Sequence, residues 1–147
     1  MSTTAAAKIA ATTTDDVPEL TRLSRECGLS VDFPAELQRS YGLLRIARQG
    51  TQVVGFLLAW RAADELHLTD LGITASARRR GIGRGLVCEL CREGELSGAR
   101  LVLLEVRESN APAIALYCAL GFQEQYRRAR YYSDTNEAAV VMQRELR

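Results

Sequence analysis

The sequence predicts one mixed α/β domain, in which about seven strands form a central, mostly antiparallel sheet flanked by about four helices. Three observations predict this class. Strand-like and helix-like apolar patterns follow one another in the order β, α, α, β, β, β, α, β, α, β, β. Short polar or glycine-containing segments separate the three middle strands, which indicates an antiparallel meander. The nearly all-apolar run Leu101–Val106 is typical of a strand buried on both faces.

The first half of the chain is predicted to hold one strand, two helices and the meander. Lys8–Thr13 alternates like a strand, and a capping box at Asp16 begins a helix that ends at Gly28. A second, short helix covers Pro34–Tyr41. The three strands of the meander are Leu43–Arg48, Val53–Trp60 and Glu65–Ile73.

The second half is predicted to hold two helices, the buried strand and a final hairpin. The first helix has apolar residues at helical spacing and ends at Gly94 or Gly98. The second is capped by Asn110, with Pro112 near its start and Gly121 just past its end. The hairpin strands are Phe122–Tyr132 and Ala138–Glu145.

Length, composition and charge suit a single soluble domain that covers residues 1–147. A formal net charge of +1 argues against nucleic acid as a direct partner, and no apolar run approaches the ~20 residues of a membrane helix. Residues 1–7 lack the apolar core of a secretory signal, and we expect them to be disordered. Because a domain of this size folds without disulfides, its four cysteines indicate a reducing cytoplasm.

A loop rich in arginine and glycine, Ala77–Leu86, joins the meander to the next helix. Glycines at a helix start let main-chain amides approach an anion, so this pattern is typical of a phosphate cradle. An NTPase P-loop would need Lys followed by Ser or Thr, where Arg84-Gly85-Leu86 stands. A dinucleotide-binding fold would need the loop in its first βα unit, whereas this loop follows a predicted meander in the middle of the chain. Both of these classes are therefore disfavoured. The loop alone leaves open a flexible turn beside solvated arginines.

The wider pattern resembles the GCN5-related N-acetyltransferase (GNAT) family. Its signature, Arg or Gln, two residues, Gly, one residue, then Gly or Ala, is matched by Arg80, Gly83 and Gly85. Other segments are similar to the bacterial branch that acetylates the N-terminal alanine of a ribosomal protein: Asp70–Ile73, Leu104–Arg107, Ser109–Ala111, Ala113–Tyr117, Leu120–Phe122 and Arg130–Tyr132.

The resemblance implies the GNAT fold and acetyl transfer from acetyl-CoA to the N-terminal α-amine of a protein, with ribosomal protein S18 as the expected acceptor. It also implies a monomer that needs no metal and binds no membrane. In that family the pyrophosphate of the cosubstrate lies on the loop and the pantetheine pairs with the preceding strand. The cofactor-binding residues so implied are Leu71, Gly72, Ile73, Arg79, Arg80, Gly81, Ile82, Gly83, Arg84, Gly85 and Asn110.

Two residues are candidates for the chemistry. Glu105 interrupts the most apolar strand, where a carboxylate is costly unless it meets water or a partner. By itself it fits either a salt-bridged edge residue or a functional one, and Tyr117 by itself fits core packing. The resemblance implies that Glu105 is the general base, acting through water, and that Tyr117 protonates the leaving thiolate. An α-amine, with a pKa of about 8, needs little help to lose its proton near neutrality.

The residues that would bind the acceptor are indicated by weaker sequence signals. The resemblance assigns Phe33, before the second helix, and Tyr131, in the last hairpin, to substrate binding. The chain departs from its relatives at Phe33-Pro34, where they have Pro-Trp, and at Thr74–Ser76, where they often have an aspartate. Two other functions therefore stay open: acetylation of a small amine, and a non-catalytic module that binds acyl-CoA or RNA.

Overall fold

The computed structural model describes residues 7–147, and their helices and strands follow the predicted order. Short 3-10 turns, Thr14–Asp16 and Ala75–Ala77, precede the first and third helices. The elements are β1 Lys8–Ala11, α1 Val17–Glu26, α2 Phe33–Gln38, β2 Gly42–Gln49, β3 Gln52–Ala62, β4 Glu65–Ile73, α3 Ile82–Leu96, β5 Leu101–Arg107, α4 Ala111–Ala119, β6 Gln123–Arg128 and β7 Ala139–Glu145.

All strands of residues 7–147 join one seven-stranded sheet in the order β1-β2-β3-β4-β5-β7-β6. Every neighbouring pair is antiparallel except β4 and β5, which are parallel. The parallel pair arises because α3 connects β4 to β5 as a crossover helix. The predicted class, a mixed and mostly antiparallel sheet with four helices, is confirmed.

Helices cover both faces of the sheet and divide the core in two. Helix α3 packs on one face through the apolar residues predicted for it. Tyr117 of α4 and Leu120, just after that helix, also belong to that core. Helices α1 and α2 cover the other face, where Leu20, Leu23 and Phe33 meet apolar residues of β2 and β3. Burial on both faces explains why β3 is almost continuously buried.

Strands β4 and β5 separate at the middle of the sheet. Their parallel register pairs Glu65–Leu68 with Leu101–Leu104, and both strands continue beyond it. A bulge at Thr69 of β4 lies where the pairing stops. Past the bulge, the edge of β4 that faces β5 has no strand partner, so its main-chain groups can pair with an extended ligand.

The separation of β4 from β5 shows that one prediction from the sequence, a fifth strand buried on both faces, is wrong. Leu101–Val106 is not buried on both faces, because Leu103 is only half-buried and Glu105 is exposed. Leu104 and Val106 alternate with Glu105 and belong to the α3 core, so Glu105 points to the opposite face.

Several element ends differ from the predicted ones. The first strand stops at Ala11, α2 stops at Gln38, and β6 stops at Arg128, just before Arg130 adopts a positive φ of 53°. Helix α3 runs through Gly94 and ends before Gly98, whose φ of 80° suits a helix end. The expected disordered start lies outside the described residues, except for Ala7, which packs against the α3 core.

Within residues 7–147, no helix combines the length and apolar character needed to cross a membrane. The four cysteines are free thiols in the structure: Cys27, Cys88, Cys91 and Cys118.

Candidate active site

The glycine-rich loop leads directly into α3. Gly81 is the residue before the helix and has a φ of 78°, a left-handed conformation that glycine adopts without strain. The first hydrogen bond of the helix runs from Gly85 N–H to the Gly81 carbonyl oxygen, at 2.9 Å. The amides of Ile82, Gly83 and Arg84 precede it, so they have no acceptor within the helix and can bind an anion.

A cavity of about 600 Å³ lies against this helix start. Arg79 and Arg84 line it, whereas Arg80 and Gly85 do not belong to its lining. Gly85 instead faces β1, since a Cβ there would lie 3.4 Å from Ile9 Cδ1. The other lining residues are Ile73, Ala77, Arg78, Gly81, Ile82, Gly83, Asn110, Pro112, Ala113 and Leu116.

Asn110 joins this cavity to a second one of about 300 Å³, because it lines both. As predicted, it caps α4: its Oδ1 accepts a hydrogen bond from Ala113 N–H at 3.3 Å. The side-chain amide N–H groups of Asn110 are not needed for the cap, so they can donate to a ligand in either cavity.

The second cavity occupies the space between the separated ends of β4 and β5. Tyr117, 7% exposed, packs beside Phe122 and reaches this cavity from α4. Burial raises the pKa of Tyr117 to about 12, so the hydroxyl stays protonated near neutral pH. The other lining residues are Leu29, Leu68, Thr69, Asp70, Leu71, Glu105, Val106, Arg107, Asn110 and Tyr132.

A third cavity, of about 420 Å³, continues from the second, because Leu68, Thr69, Glu105 and Tyr132 line both. Its remaining lining mixes aromatic and aliphatic side chains with one arginine: Trp60, His67, Leu103, Leu104, Tyr126, Arg128, Tyr131 and Val141. The three cavities together form a groove that runs from the start of α3, between β4 and β5, to the β6–β7 end. Glu105 lies where its second and third parts join.

Glu105 has a basic and a phenolic neighbour. Arg128 Nε lies 3.3 Å from Glu105 Oε1. A hydrogen bond to Glu105, together with its negative charge, raises the pKa of Tyr131. The Tyr131 ring meets that of Tyr132 edge to face, with centroids 5.1 Å apart. Two of the residues predicted from the sequence, Glu105 and Tyr131, are therefore brought together.

The loop after β5 is tied to the loop before β7. Arg107 pairs with Asp134 at 2.9 Å and with Glu137 at 3.3 Å, and its guanidinium stacks over Tyr132 at 4.1 Å from the ring centroid. Glu137 also accepts a hydrogen bond from Ser109 N–H at 3.2 Å. These bonds position Tyr132 and the start of α4 at the same side of the groove.

Asp70 lines the groove, although the sequence predicts no role for it. It pairs with Leu58 of β3, whose side chain belongs to the α1–α2 core, so Asp70 and Glu105 share a face of the sheet. Burial raises the pKa of Asp70, the charge of Glu36 adds to that rise, and a hydrogen bond with Thr69 opposes it. In the sequence, the only sign of a role for this residue is that an aspartate stands between the apolar residues Leu68 and Leu71.

We expect Asp70→Asn to unfold at a higher temperature than the wild type at about pH 7. The folded-state pKa of Asp70 is raised above its unfolded value. Folding therefore gains from the bound proton at low pH, and that gain is lost as the pH rises through the folded pKa. Thermal unfolding followed across pH should show an advantage of the variant that shrinks as the pH falls toward about 4 and is lost below that value. An equal advantage at every pH would contradict it.

The substrate-binding role expected for Phe33 requires a correction. Its ring is 0% exposed and packs edge to face against Phe56, with centroids 5.2 Å apart. A ring so placed offers no surface to a substrate, and it holds α2 against the sheet instead. Tyr131, in contrast, is 47% exposed and lines the groove.

We expect Phe33→Leu to lower the free energy of unfolding by about 1 to 2 kcal/mol, because it leaves a small void beside Phe56. Denaturant unfolding measures this change. If Phe33 only packs the core, the KM of the folded variant for its acceptor stays that of the wild type. A raised acceptor KM with unchanged stability would restore a direct role in substrate binding.

Comparison with known proteins agrees with this geometry. Residues 10–122 match the model of the acetyltransferase (GNAT) family, which is more than half of the chain. The chain belongs to this family, and the family resemblance found in the sequence is confirmed.

Its relatives narrow the class. The chain is 38% identical over 96 residues to the [ribosomal protein bS18]-alanine N-acetyltransferase of Escherichia coli K12, covering 64% of this chain and 65% of that protein. The match thus spans slightly less than two thirds of this relative. N-alpha-acetyltransferase RimI of Mycobacterium tuberculosis is 33% identical over 117 residues, covering 77% of this chain and 72% of that protein.

A solved structure extends the likeness to the whole fold. The ribosomal-protein-S18-alanine N-acetyltransferase from Escherichia coli superposes with a TM-score of 0.87 at 30% identity, covering 95% of this chain and 94% of that chain. The chain is thus similar to bacterial bS18-alanine N-acetyltransferases in sequence and in fold.

Proposed function

We propose that the protein transfers an acetyl group from acetyl-CoA to the N-terminal α-amine of a protein, with the N-terminal alanine of ribosomal protein bS18 as its acceptor. The observation that carries the proposal is the groove itself. It begins at a helix start whose free amides can bind an anion, and it passes an unpaired strand edge. It then reaches Glu105 and Tyr117 where it opens toward exposed tyrosines.

The donor fits the first two parts of the groove. Its pyrophosphate would lie on the free amides at the start of α3, near Arg79 and Arg84, where the helix dipole favours negative charge. Its pantetheine amides would pair with the main chain of Leu71, Gly72 and Ile73, and Asn110 would donate to the same arm. This placement brings the thioester to the cavity between β4 and β5.

The chemistry follows from the groups at that cavity. Glu105 accepts the proton of the acceptor amine through a water molecule, and the amine nitrogen then attacks the thioester carbonyl. The carbon–sulfur bond breaks, and the sulfur takes a proton from the Tyr117 hydroxyl, which is protonated before the step because its pKa is about 12. The proton on Glu105 returns through solvent to Tyr117, and the nitrogen loses its second proton to solvent as the amide forms. An acceptor that starts as the ammonium thus gives one proton to the thiol and one to solvent.

The acceptor would enter from the aromatic end of the groove, past Tyr131 and Trp60. An extended peptide places its N-terminus in such a narrow space with the chain trailing outward. The similarity to bS18-alanine N-acetyltransferases supports alanine as the first residue. A small apolar side chain also suits a cavity of about 300 Å³ that holds the amine and the acetyl group together.

The test incubates the protein with acetyl-CoA and a peptide that carries the N-terminal sequence of bS18, beginning with alanine. We expect free thiol to appear together with a peptide heavier by one acetyl group, located at the N-terminus by fragmentation mass spectrometry. A peptide already acetylated at its N-terminus is the matched control and should release no thiol. Acetylation only of polyamines, amino acids or aminoglycosides would show that the acceptor is a small amine. RNA binding without acetylation would contradict the proposal that the protein is an enzyme.

A further inference from the structure

We infer that Asp70 is the residue that binds the acceptor's α-amine in its ammonium form, before Glu105 removes the proton. This inference rests on the proposed function and adds to it a residue that selects a cationic acceptor. It begins from the position of Asp70, which lines the cavity between β4 and β5 together with Glu105 and Tyr117.

Asp70 differs from the other acidic groups of this region in having no cation beside it. Glu36 pairs with Arg39 at 3.3 Å and accepts a hydrogen bond from Trp60, and Glu105 pairs with Arg128. Among the ion pairs of residues 7–147, none includes Asp70. A partly buried carboxylate without a cation is the position at which an incoming ammonium gains most.

The surrounding charges favour this assignment. Of the residues that line the cavity, the one cation is Arg107, and Asp134 and Glu137 already bind its guanidinium. Glu36 approaches from α2 and adds negative potential at Asp70. The remaining titratable groups of the cavity are Glu105, Tyr117 and Tyr132.

The bulge at Thr69 determines which face of the sheet Asp70 occupies. It shifts the alternation of β4 by one residue, so that Asp70 stands opposite Leu58 while Leu68 stands opposite Ala59. Without the extra residue, Asp70 would point toward the α3 core. The same bulge that ends the pairing of β4 with β5 therefore directs a carboxylate to the acceptor side of the opening.

Two carboxylates at one amine site can divide the work. Asp70 holds the ammonium, which is the main form of an α-amine below its pKa of about 8, and Glu105 takes the proton. Binding the abundant form raises the share of enzyme that carries an acceptor near neutral pH. A neutral acceptor of the same shape would gain nothing from Asp70, and this difference makes the inference measurable.

The experiment measures acceptor binding without turnover, in a dead-end complex that contains CoA in place of acetyl-CoA. Calorimetry at about pH 7 compares an Ala-starting peptide with the same peptide carrying a propionyl group instead of alanine, which lacks only the amine. We expect wild type to bind the amine peptide about tenfold more tightly and Asp70→Asn to reduce the ratio below about threefold.

Glu65→Gln is the matched control, since it removes the same charge from the same strand outside the groove and should keep the wild-type ratio. A purely structural defect in Asp70→Asn would weaken both peptides equally and would overturn the inference, as would an unchanged ratio. The inference can therefore fail while the proposed function stands. If wild type acetylates no Ala-starting peptide, the proposed function fails, and the inference fails with it.

Discussion

Tyr117→Phe should lower kcat for acetyl transfer by about 10²-fold or more while changing the affinity for acetyl-CoA less than about threefold. The substitution removes only the hydroxyl and keeps the ring that packs beside Phe122. The leaving sulfur then has to depart without a proton donor in a cavity that shields it from solvent. Steady-state kinetics with thiol release as the readout, together with calorimetry of CoA binding, separates the two effects.

The pH dependence of the wild type gives a second check on Tyr117. A hydroxyl with a pKa of about 12 stays protonated, so its ionisation should cause no fall in kcat up to about pH 10. Tyr41→Phe is the matched control, because that hydroxyl is hydrogen-bonded to Arg39 outside the groove. Wild-type turnover in Tyr117→Phe would show that the side chain only packs the core.

Glu105→Gln should reduce kcat/KM for the acceptor by about 10²-fold or more near pH 7, and by less as the pH rises. An α-amine has a pKa of about 8, so below that value most acceptor molecules carry the proton that Glu105 removes. Above it, the amine is neutral without assistance. A pH–rate series for both proteins should therefore show curves that converge toward about pH 9.

Glu108→Gln provides the matched control for Glu105. Glu108 follows the same strand and pairs with Arg127 at 3.4 Å, as Glu105 pairs with Arg128 at 3.3 Å. Loss of an arginine partner is thus common to both variants, and the loss of a base belongs to Glu105 alone. Equal effects of the two substitutions, or a constant ratio to wild type at every pH, would assign Glu105 a structural role.

The proposed role of Asp70 as the ammonium-binding carboxylate lowers the stability of the fold. Asp70 is held partly buried without a cation, and Asn at this position is expected to make the fold more stable while weakening acceptor binding. Such opposition between stability and binding is common where a site keeps an unpaired charge for its ligand. Phe33 shows the reverse case, since its burial serves the fold and leaves it no contact with the groove.

The amino-acid sequence determined the element order, the sheet class and the family, because these depend on local patterns. Apolar periodicity marks each strand and helix, Asn110 marks a helix start, and the Arg80–Gly85 signature with its following segments marks the family. These signals lie within a few residues of one another, so the chain shows them without its fold.

Only the tertiary structure decided which residues share the groove. The bulge at Thr69 and the separation of β4 from β5 are properties of strand pairing, and they turn Asp70 and Glu105 to one face. The same packing buries Phe33 under α2. Burial and charge at a site depend on contacts between residues distant in sequence, and for that reason the acceptor end of the groove had to be read from the fold.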